Sequence, residues 1–119
     1  MSYIANNPES NLGKVVGNGQ CVTYVKHVSG APASSLWEQG QAVRGAMLPM
    51  GTVIATFQDG RYQNAMDGRS HAAIYLSQDE TGIWVYDQWF NQPVHKRLIR
   101  FRGGQGTANN DGDAYSVVL

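Results

Sequence analysis

Residues 71–89 read HAAIYLSQDETGIWVYDQW, and this stretch decides the fold. Aromatic and β-branched side chains, which favour strands, lie on both sides of the turn-forming segment QDETG at residues 78–82. The pattern predicts two antiparallel strands, residues 71–77 and 83–89, joined by a hairpin loop. An antiparallel sheet is therefore expected at the centre of the fold.

Further strands and two helices are predicted around this hairpin. The additional strands lie at residues 52–57, 96–101 and 114–118, which brings the sheet to about five strands. In residues 20–29, apolar side chains recur at helical spacing, and in residues 36–43 a second helix is predicted because Ser35 and Glu38 have the spacing of a capping box. The order predicts an α+β fold, with the N-terminal helices packed on one side of the antiparallel sheet.

Length and charge limit the classes of function. A chain of 119 residues predicts a single domain, residues 1–119. The formal net charge is zero, which predicts no nucleic-acid partner and no binding to a membrane surface. The N-terminal segment MSYIANNPESNLGK lacks the apolar core of a signal peptide. The expectation is a protein made in the cytoplasm that needs another route of export if it acts outside the cell.

The single cysteine, Cys21, lies at the start of the first predicted helix, directly after Gly19 and Gln20. Free backbone N–H groups and the positive end of the helix dipole at this place favour a thiolate and can hold an oxyanion. A buried, unreactive thiol is the alternative interpretation of a lone cysteine. The glycine-rich turn before the helix favours a nucleophile.

A nucleophilic thiol needs a base, and the base needs an orienting group. His71 begins a predicted strand, and the register of the hairpin suggests its partner. If Ser77 opposes Ile83, then Asp87 is the diagonal neighbour of His71 on the same face. A shift by two residues would place them directly opposite each other, and a shift by one would replace Asp87 with Gln88. The face shared by His71 and Asp87 is also expected to seat the first helix, through residues 73, 75, 83 and 85.

The motifs Gly19-Gln20-Cys21-x-x-Tyr24, Ser70-His71-x-Ala73-Ile74-Tyr75 and Val85-Tyr86-Asp87-Gln88-Trp89 resemble those of the CHAP and NlpC-type cysteine amidases of the papain-like superfamily. CHAP domains often have Glu at the third position with Asn two residues later, whereas this chain has Asp87-Gln88-Trp89. Within the superfamily, the short build without a signal peptide is similar to the type VI secretion amidase effectors. The resemblance implies a papain-like fold.

The resemblance also implies an activity. Cys21 would be the nucleophile, His71 the base and Asp87 the orienting acid of a peptidoglycan amidase or endopeptidase that cleaves stem peptides or their cross-links. Such an effector is a secreted antibacterial toxin acting in the periplasm of a target bacterium. Its expected partners are a secretion machinery component and an immunity protein covering the active-site groove. Two alternatives stay open: a catalytically silent cell-wall-binding or inhibitory domain of the same shape, and a phage or housekeeping wall hydrolase.

Four further residues are candidates for the oxyanion or substrate site. Gln20 either donates a hydrogen bond beside the oxyanion or caps the helix. Arg61 and Arg69 flank the polar loop of residues 58–70, where they either bind substrate carboxylates or are solvated. Gln88 is the alternative to Asp87 as the residue that orients the histidine.

The remaining histidines, His27 and His95, are predicted to be solvated. The chain has no H-E-x-x-H motif, and its three histidines lack the spacing of metal ligands. We therefore predict no metal and no cofactor.

Overall fold

A computed structural model describes residues 2–119, and its central element is one six-stranded antiparallel sheet. The elements are α1 (Cys21–Ser29), β1 (Gln39–Ala42), β2 (Val53–Thr56), β3 (Ala72–Gln78), β4 (Gly82–Trp89), β5 (Gln92–Arg100) and β6 (Tyr115–Val118). The strand order is β1-β6-β2-β3-β4-β5. Short 3-10 turns lie at Pro8–Asn11, Ser34–Leu36, Ala108–Asn110 and Gly112–Ala114. The predicted α+β class is confirmed, with six strands in place of about five.

The first helix forms where the sequence predicts it. Gln20 precedes it in an extended conformation, and Gly30 ends it with a φ of 72°, which glycine adopts without strain. Tyr24, Val25 and Val28 are buried and form the apolar face of α1. This face packs against β3 and β4.

The prediction of a second helix at residues 36–43 is wrong. Residues 34–36 form a 3-10 turn and residues 39–42 form strand β1, which pairs with β6. Glu38 exchanges two backbone hydrogen bonds with Leu119, of 2.9 and 2.8 Å. At Gly40 an added Cβ would lie 2.8 Å from the carbonyl oxygen of Val117, so the close approach of β6 requires glycine there. Pairing with the distant C-terminal strand outweighs the local capping signal of Ser35 and Glu38.

The β3–β4 hairpin has the predicted register only in the half next to the candidate site. Ile74 opposes Tyr86 and Tyr75 opposes Val85, as the even register requires. An irregularity after Tyr75 then shifts the pairing, so that Ser77 opposes Trp84 instead of Ile83. The shift lies at the turn end of the hairpin and leaves the relation between residues 71 and 87 unchanged.

The face that receives α1 was predicted incorrectly. The helix packs on the side of the sheet that carries Ala72 and Ile74, together with the partly buried Tyr86. Ala73, Tyr75, Ile83 and Val85 belong to a second apolar cluster on the opposite face, with Val43, Ile54, Ile99 and Tyr115. Both faces of the central strands are therefore buried. Within residues 2–119, no helix has the length and apolar character needed to cross a membrane.

Candidate active site

Cys21 is the first residue of α1 and follows a tightly constrained loop. Gly17 has a φ of 56°, and an added Cβ there would lie 2.5 Å from Cγ2 of Thr23. The Asn18 side chain accepts hydrogen bonds from the backbone N–H of Gln20 (3.0 Å) and the hydroxyl of Thr23 (2.7 Å), which joins the loop to the first helical turn. As first helical residue, Cys21 keeps its own N–H outside the helical ladder. That N–H is available to a substrate oxyanion.

His71 lies immediately before β3 and is held by β2. Its backbone N–H donates to Oγ1 of Thr56 (3.0 Å), and its carbonyl oxygen accepts from the backbone N–H of Thr56 (3.0 Å). The imidazole is buried, and its Nε2 lies 2.7 Å from Oδ2 of Asp87. Since Nε2 is engaged by the carboxylate, Nδ1 is the ring nitrogen left to face Cys21.

Asp87 is fully buried and lies among three basic side chains. Its Oδ2 receives the His71 contact and a 2.7 Å hydrogen bond from Nε of Arg97, while Oδ1 lies 3.0 Å from Nε2 of His95. Among the described residues, neither Oδ1 nor the His95 nitrogen has a partner of good hydrogen-bond geometry, so this third contact is poorly directed. The cluster ties β3, β4 and β5 together.

His95 is therefore not the solvated side chain that the sequence predicted. It lies directly opposite Asp87 across the β4–β5 pair, and its side chain is 30% exposed. Arg97 is a further site residue that was not predicted from the sequence. Both residues could have been found by extending β5 back to residue 92 and pairing it with β4, because Asp87 then opposes His95.

The electrostatics of the cluster favour a thiolate and an imidazolium. Burial alone raises the pKa of the Cys21 thiol, but the hydrogen bond and charge of His71 and the backbone N–H of Ala72 bring it below its usual value. Burial lowers the pKa of His71, whereas Asp87 and Cys21 together raise it to about 9. Burial opposes the ionisation of Asp87, yet His71 and Arg97 hold the pKa of Asp87 below its ordinary value.

Tyr62 is a site residue whose place beside the thiol was not predicted from the sequence. Its hydroxyl lies 3.7 Å from Sγ of Cys21, and its ring packs against Trp37 with the centroids 5.0 Å apart. Burial and the neighbouring Cys21 raise the pKa of Tyr62, so the phenol remains protonated and able to donate. The only signal in the sequence was its position in the long loop of residues 58–70.

Gln88 does not contact His71, because it points to the opposite face of β4. Its Oε1 accepts from the backbone N–H of Val16 (3.0 Å), and its Nε2 donates to the carbonyl oxygens of Val16 (2.9 Å) and Gln20 (2.8 Å). It is fully buried and fixes the loop before Cys21 to the sheet. Consecutive residues of β4 thus support both halves of the site: Asp87 contacts His71, and Gln88 holds the loop that leads to Cys21.

The cavity beside Cys21 has a volume of about 400 Å³. It is lined by Gln20, Cys21, Tyr62, Asn64, Ala65, Met66, Gly68, Ser70, His71, Trp89, Phe90, Arg97, Asn109 and Asn110. The side chain of Gln20 makes no capping hydrogen bond to the helix, which leaves it free to face the cavity. Within the part of the chain that the structure describes, no three His, Cys, Asp or Glu side chains are grouped as metal ligands.

The two arginines predicted to bind substrate do not line this cavity. Arg61 is exposed, and Arg69 forms a 2.9 Å ion pair with Asp67 on the exposed outer side of the loop. The backbone carbonyl oxygen of Arg69 accepts hydrogen bonds from the side chains of Thr56 and Gln58. Among the described residues, Arg97 is the arginine that lines the cavity.

The arrangement can perform acyl transfer by a thiol nucleophile. A buried imidazole lies next to the thiol, a carboxylate orients the imidazole, and a helix N–H and a phenol face the same space. The cavity is large enough for part of a peptide.

Comparison with known proteins points to one family. The family model described as domesticated amidase effector 2 matches residues 1–118. A type VI secretion amidase effector 2 protein from Salmonella typhi is 36% identical over 133 residues, covering 99% of each chain. A domesticated amidase effector 2 from Ixodes scapularis is 38% identical over 108 residues, which covers 87% of this chain and 72% of that protein.

A solved structure has the same fold. The structure, of a type 6 secretion amidase effector 2 (Tae2), superposes with a TM-score of 0.83 at 39% sequence identity. The match covers 98% of this chain and 93% of that chain.

Proposed function

The chain belongs to the domesticated amidase effector 2 family and is an amidase similar to type VI secretion effectors, and from this we propose that it cleaves amide bonds of peptidoglycan peptides through Cys21, His71 and Asp87. We also propose that residues 1–119 form one amidase domain. The observation that carries the mechanism is the 2.7 Å contact between His71 and the buried Asp87 beside the Cys21 thiol, at the wall of the cavity.

The reaction begins with attack by the Cys21 thiolate on the carbonyl carbon of the scissile amide. The carbonyl π electrons move to oxygen, and the backbone N–H of Cys21 and the Tyr62 hydroxyl are placed to donate to that oxyanion. The tetrahedral intermediate collapses as the C–N bond breaks. The imidazolium of His71 gives its proton to the leaving nitrogen, which departs as an amine. The product is a thioester on Cys21.

Water completes the cycle. Neutral His71 takes a proton from a water molecule, whose oxygen attacks the thioester carbonyl. The C–S bond then breaks, the peptide leaves with a new carboxyl group, and the thiolate–imidazolium pair re-forms. Asp87 does not transfer a proton in either half. It fixes the ring orientation and stabilises the imidazolium through its contact with Nε2.

Digestion of purified sacculi, followed by chromatography and mass measurement of the muropeptides, tests this proposal. The amidase proposal expects new fragments, one carrying a free amine and the other a free carboxyl group at the cleaved bond. A silent wall-binding domain would sediment with the sacculi and release no peptide, and that result would overturn the proposal. The product masses also identify which amide is cut.

We extend the proposal to the setting in which the enzyme acts. Similarity to type VI secretion effectors supports delivery by a secretion machinery and action on the wall of a target bacterium. A producer exposed to its sister cells then needs an immunity protein. The groove between Cys21 and His71 is the place where an inhibitor blocks both reacting groups, and the loop of residues 58–70 forms one of its walls. Exposed Met66 and Arg61 on this loop suit a protein interface.

Export of the chain to the periplasm of a Gram-negative host tests that extension. A signal-peptide fusion should lyse the cells, whereas the same fusion carrying Cys21→Ala should not. Survival of cells that export the active form without an inhibitor would favour a phage or housekeeping hydrolase with a different role. Co-expression of an immunity protein should restore growth, and alanine substitutions in the loop of residues 58–70 should weaken its binding.

A further inference from the structure

Arg97 is held rigidly at the cavity wall, next to the reacting histidine. Its Nε donates to the same carboxylate oxygen that contacts His71, both at 2.7 Å. Its guanidinium carbon lies 5.0 Å from the ring centroid of Trp89, and the side chain is 19% exposed. A guanidinium fixed in this way loses little conformational freedom when it binds a further group.

Among the described residues, the two terminal nitrogens of Arg97 have only long hydrogen-bond contacts, and the Tyr115 hydroxyl also lies near them. One lies 3.5 Å from Oδ1 of Asn110 and the other 3.5 Å from the carbonyl oxygen of Asn109. Good N–H···O hydrogen bonds are about 2.7–3.2 Å long, so both contacts are weak. Asn109 and Asn110 also line the cavity, which places this end of the guanidinium at its surface. Arg97 therefore presents two parallel N–H donors to an incoming ligand.

The charge of the cavity wall favours an anion. Of the lining residues that the structure describes, Arg97 and His71 are basic and none is Asp or Glu. Because the Cys21 thiolate pairs with the His71 imidazolium, Arg97 is the lining residue whose positive charge faces an incoming ligand. Asp87 is fully buried and occupies only the Nε side of Arg97. A carboxylate matches the spacing of the two terminal donors, because arginine and carboxylate pair through two parallel hydrogen bonds.

The position of Arg97 also indicates which fragment of the substrate it contacts. His71 protonates the leaving nitrogen, so the amine fragment lies on the His71 side of the cavity. Arg97 shares an Asp87 oxygen with His71, and both side chains pack against Trp89, with 6.1 Å between the His71 and Trp89 ring centroids. We infer that Arg97 binds a free carboxylate on the amine-side residue of the scissile amide. This inference rests on the proposed function and names a substrate feature for it.

The first test compares the cleavage of two substrates by the wild-type protein. Two synthetic peptides are compared that differ only in the amine-side residue, which carries a free carboxylate in one and a carboxamide in the other. The wild type should cleave the carboxylate form with a kcat/KM about 10- to 100-fold higher. Equal cleavage of both peptides would overturn the inference while leaving the amidase proposal intact. Cleavage of neither peptide, nor of sacculi, would count against the amidase proposal itself.

Variants then assign the preference to Arg97. Arg97→Gln should lose the discrimination between the two peptides, and Arg97→Lys should retain part of it. Arg100→Gln, an exposed arginine on the same strand, is the matched control and should discriminate as the wild type does. If Arg97→Gln slows both peptides by the same factor, Arg97 acts only by positioning Asp87, and the inference fails. If Arg97→Gln does not fold, Arg97→Lys makes the assignment: it should discriminate less than the wild type, and discrimination equal to that of the wild type would overturn the inference.

Discussion

Replacing Asp87 by Asn removes the charge at the centre of the His71, His95 and Arg97 cluster while keeping the shape of the side chain. The His71 pKa of about 9, in place of 6.5, is worth about 3 kcal/mol of preference for the imidazolium, and Asp87 and Cys21 are its causes. Without the carboxylate, His71 should be neutral at pH 7, and the pKa of Cys21 should rise because its cationic partner is lost. We expect kcat to fall by about 10³- to 10⁴-fold, the size of effect known when a catalytic histidine loses its acid.

The same substitution should change the dependence of stability on pH. A folded pKa above the unfolded value means that the His71 contribution is fully present below pH 6.5 and is lost as the pH rises through about 9. Asp87 has the opposite sign: its lowered pKa contributes stability above its unfolded value near 4, and this is lost as the pH falls. The variant also leaves Arg97 without its buried partner, at a cost of about 3–5 kcal/mol. Unfolding in urea at pH 6 and pH 9.5 should show a smaller difference for the variant than for the wild type.

Alkylation of the lone cysteine by iodoacetamide at a series of pH values is the assay for the thiolate. The Asp87→Asn profile should shift towards the normal thiol pKa of about 8.5. Asp113→Asn is the matched control, since Asp113 pairs with Arg44 at 2.9 Å and lies outside the cavity. An alkylation profile for Asp87→Asn that equals the wild-type profile, with unchanged turnover, would refute the assigned role of Asp87.

Three further predictions concern the neighbours of the reacting groups. Gln88→Leu leaves backbone groups of Val16 and Gln20 unpaired and should lower kcat by about 10- to 100-fold, less than Asp87→Asn. The reverse ranking would mean that fixing the loop before Cys21 matters more than orienting His71. Wild-type Cys21 should react with iodoacetamide well below pH 8.5, and a rate that rises only there would mean an unactivated thiol. Tyr62→Phe should lower kcat by about 10-fold with little change in KM or in the alkylation profile, whereas a change confined to KM would assign Tyr62 to substrate binding.

The parts of the fold that depend on local pattern could be predicted from the sequence. The hairpin at residues 72–89 and helix α1 follow from side-chain periodicity and from glycine at their ends. The resemblance to type VI secretion amidase effectors, read from the motifs around Cys21 and His71, is confirmed by the family match and the relatives. Strand β1 could not be predicted, because its pairing with β6 connects segments that are far apart in the chain.

The contact between His71 and Asp87 could be predicted, because it depends only on the strand register. The even register places His71 and Asp87 together, and the structure has their side chains 2.7 Å apart. His95 was missed because the predicted strand began at residue 96, although β5 already begins at Gln92. Arg97 was missed because the register between this strand and the preceding one was not predicted. The direction of an arginine side chain in a loop has no signature in sequence, so the positions of Arg61 and Arg69 outside the cavity lining could not be predicted.

The central claim is that the Cys21 thiol carries the reaction. Purified sacculi are digested with the wild type, with Cys21→Ala and with His27→Ala, an exposed histidine on the same helix that serves as the control. The released muropeptides are then identified by mass. The account predicts equal release by the wild type and His27→Ala and no release by folded Cys21→Ala. Release by Cys21→Ala at a rate comparable to the wild type would contradict it.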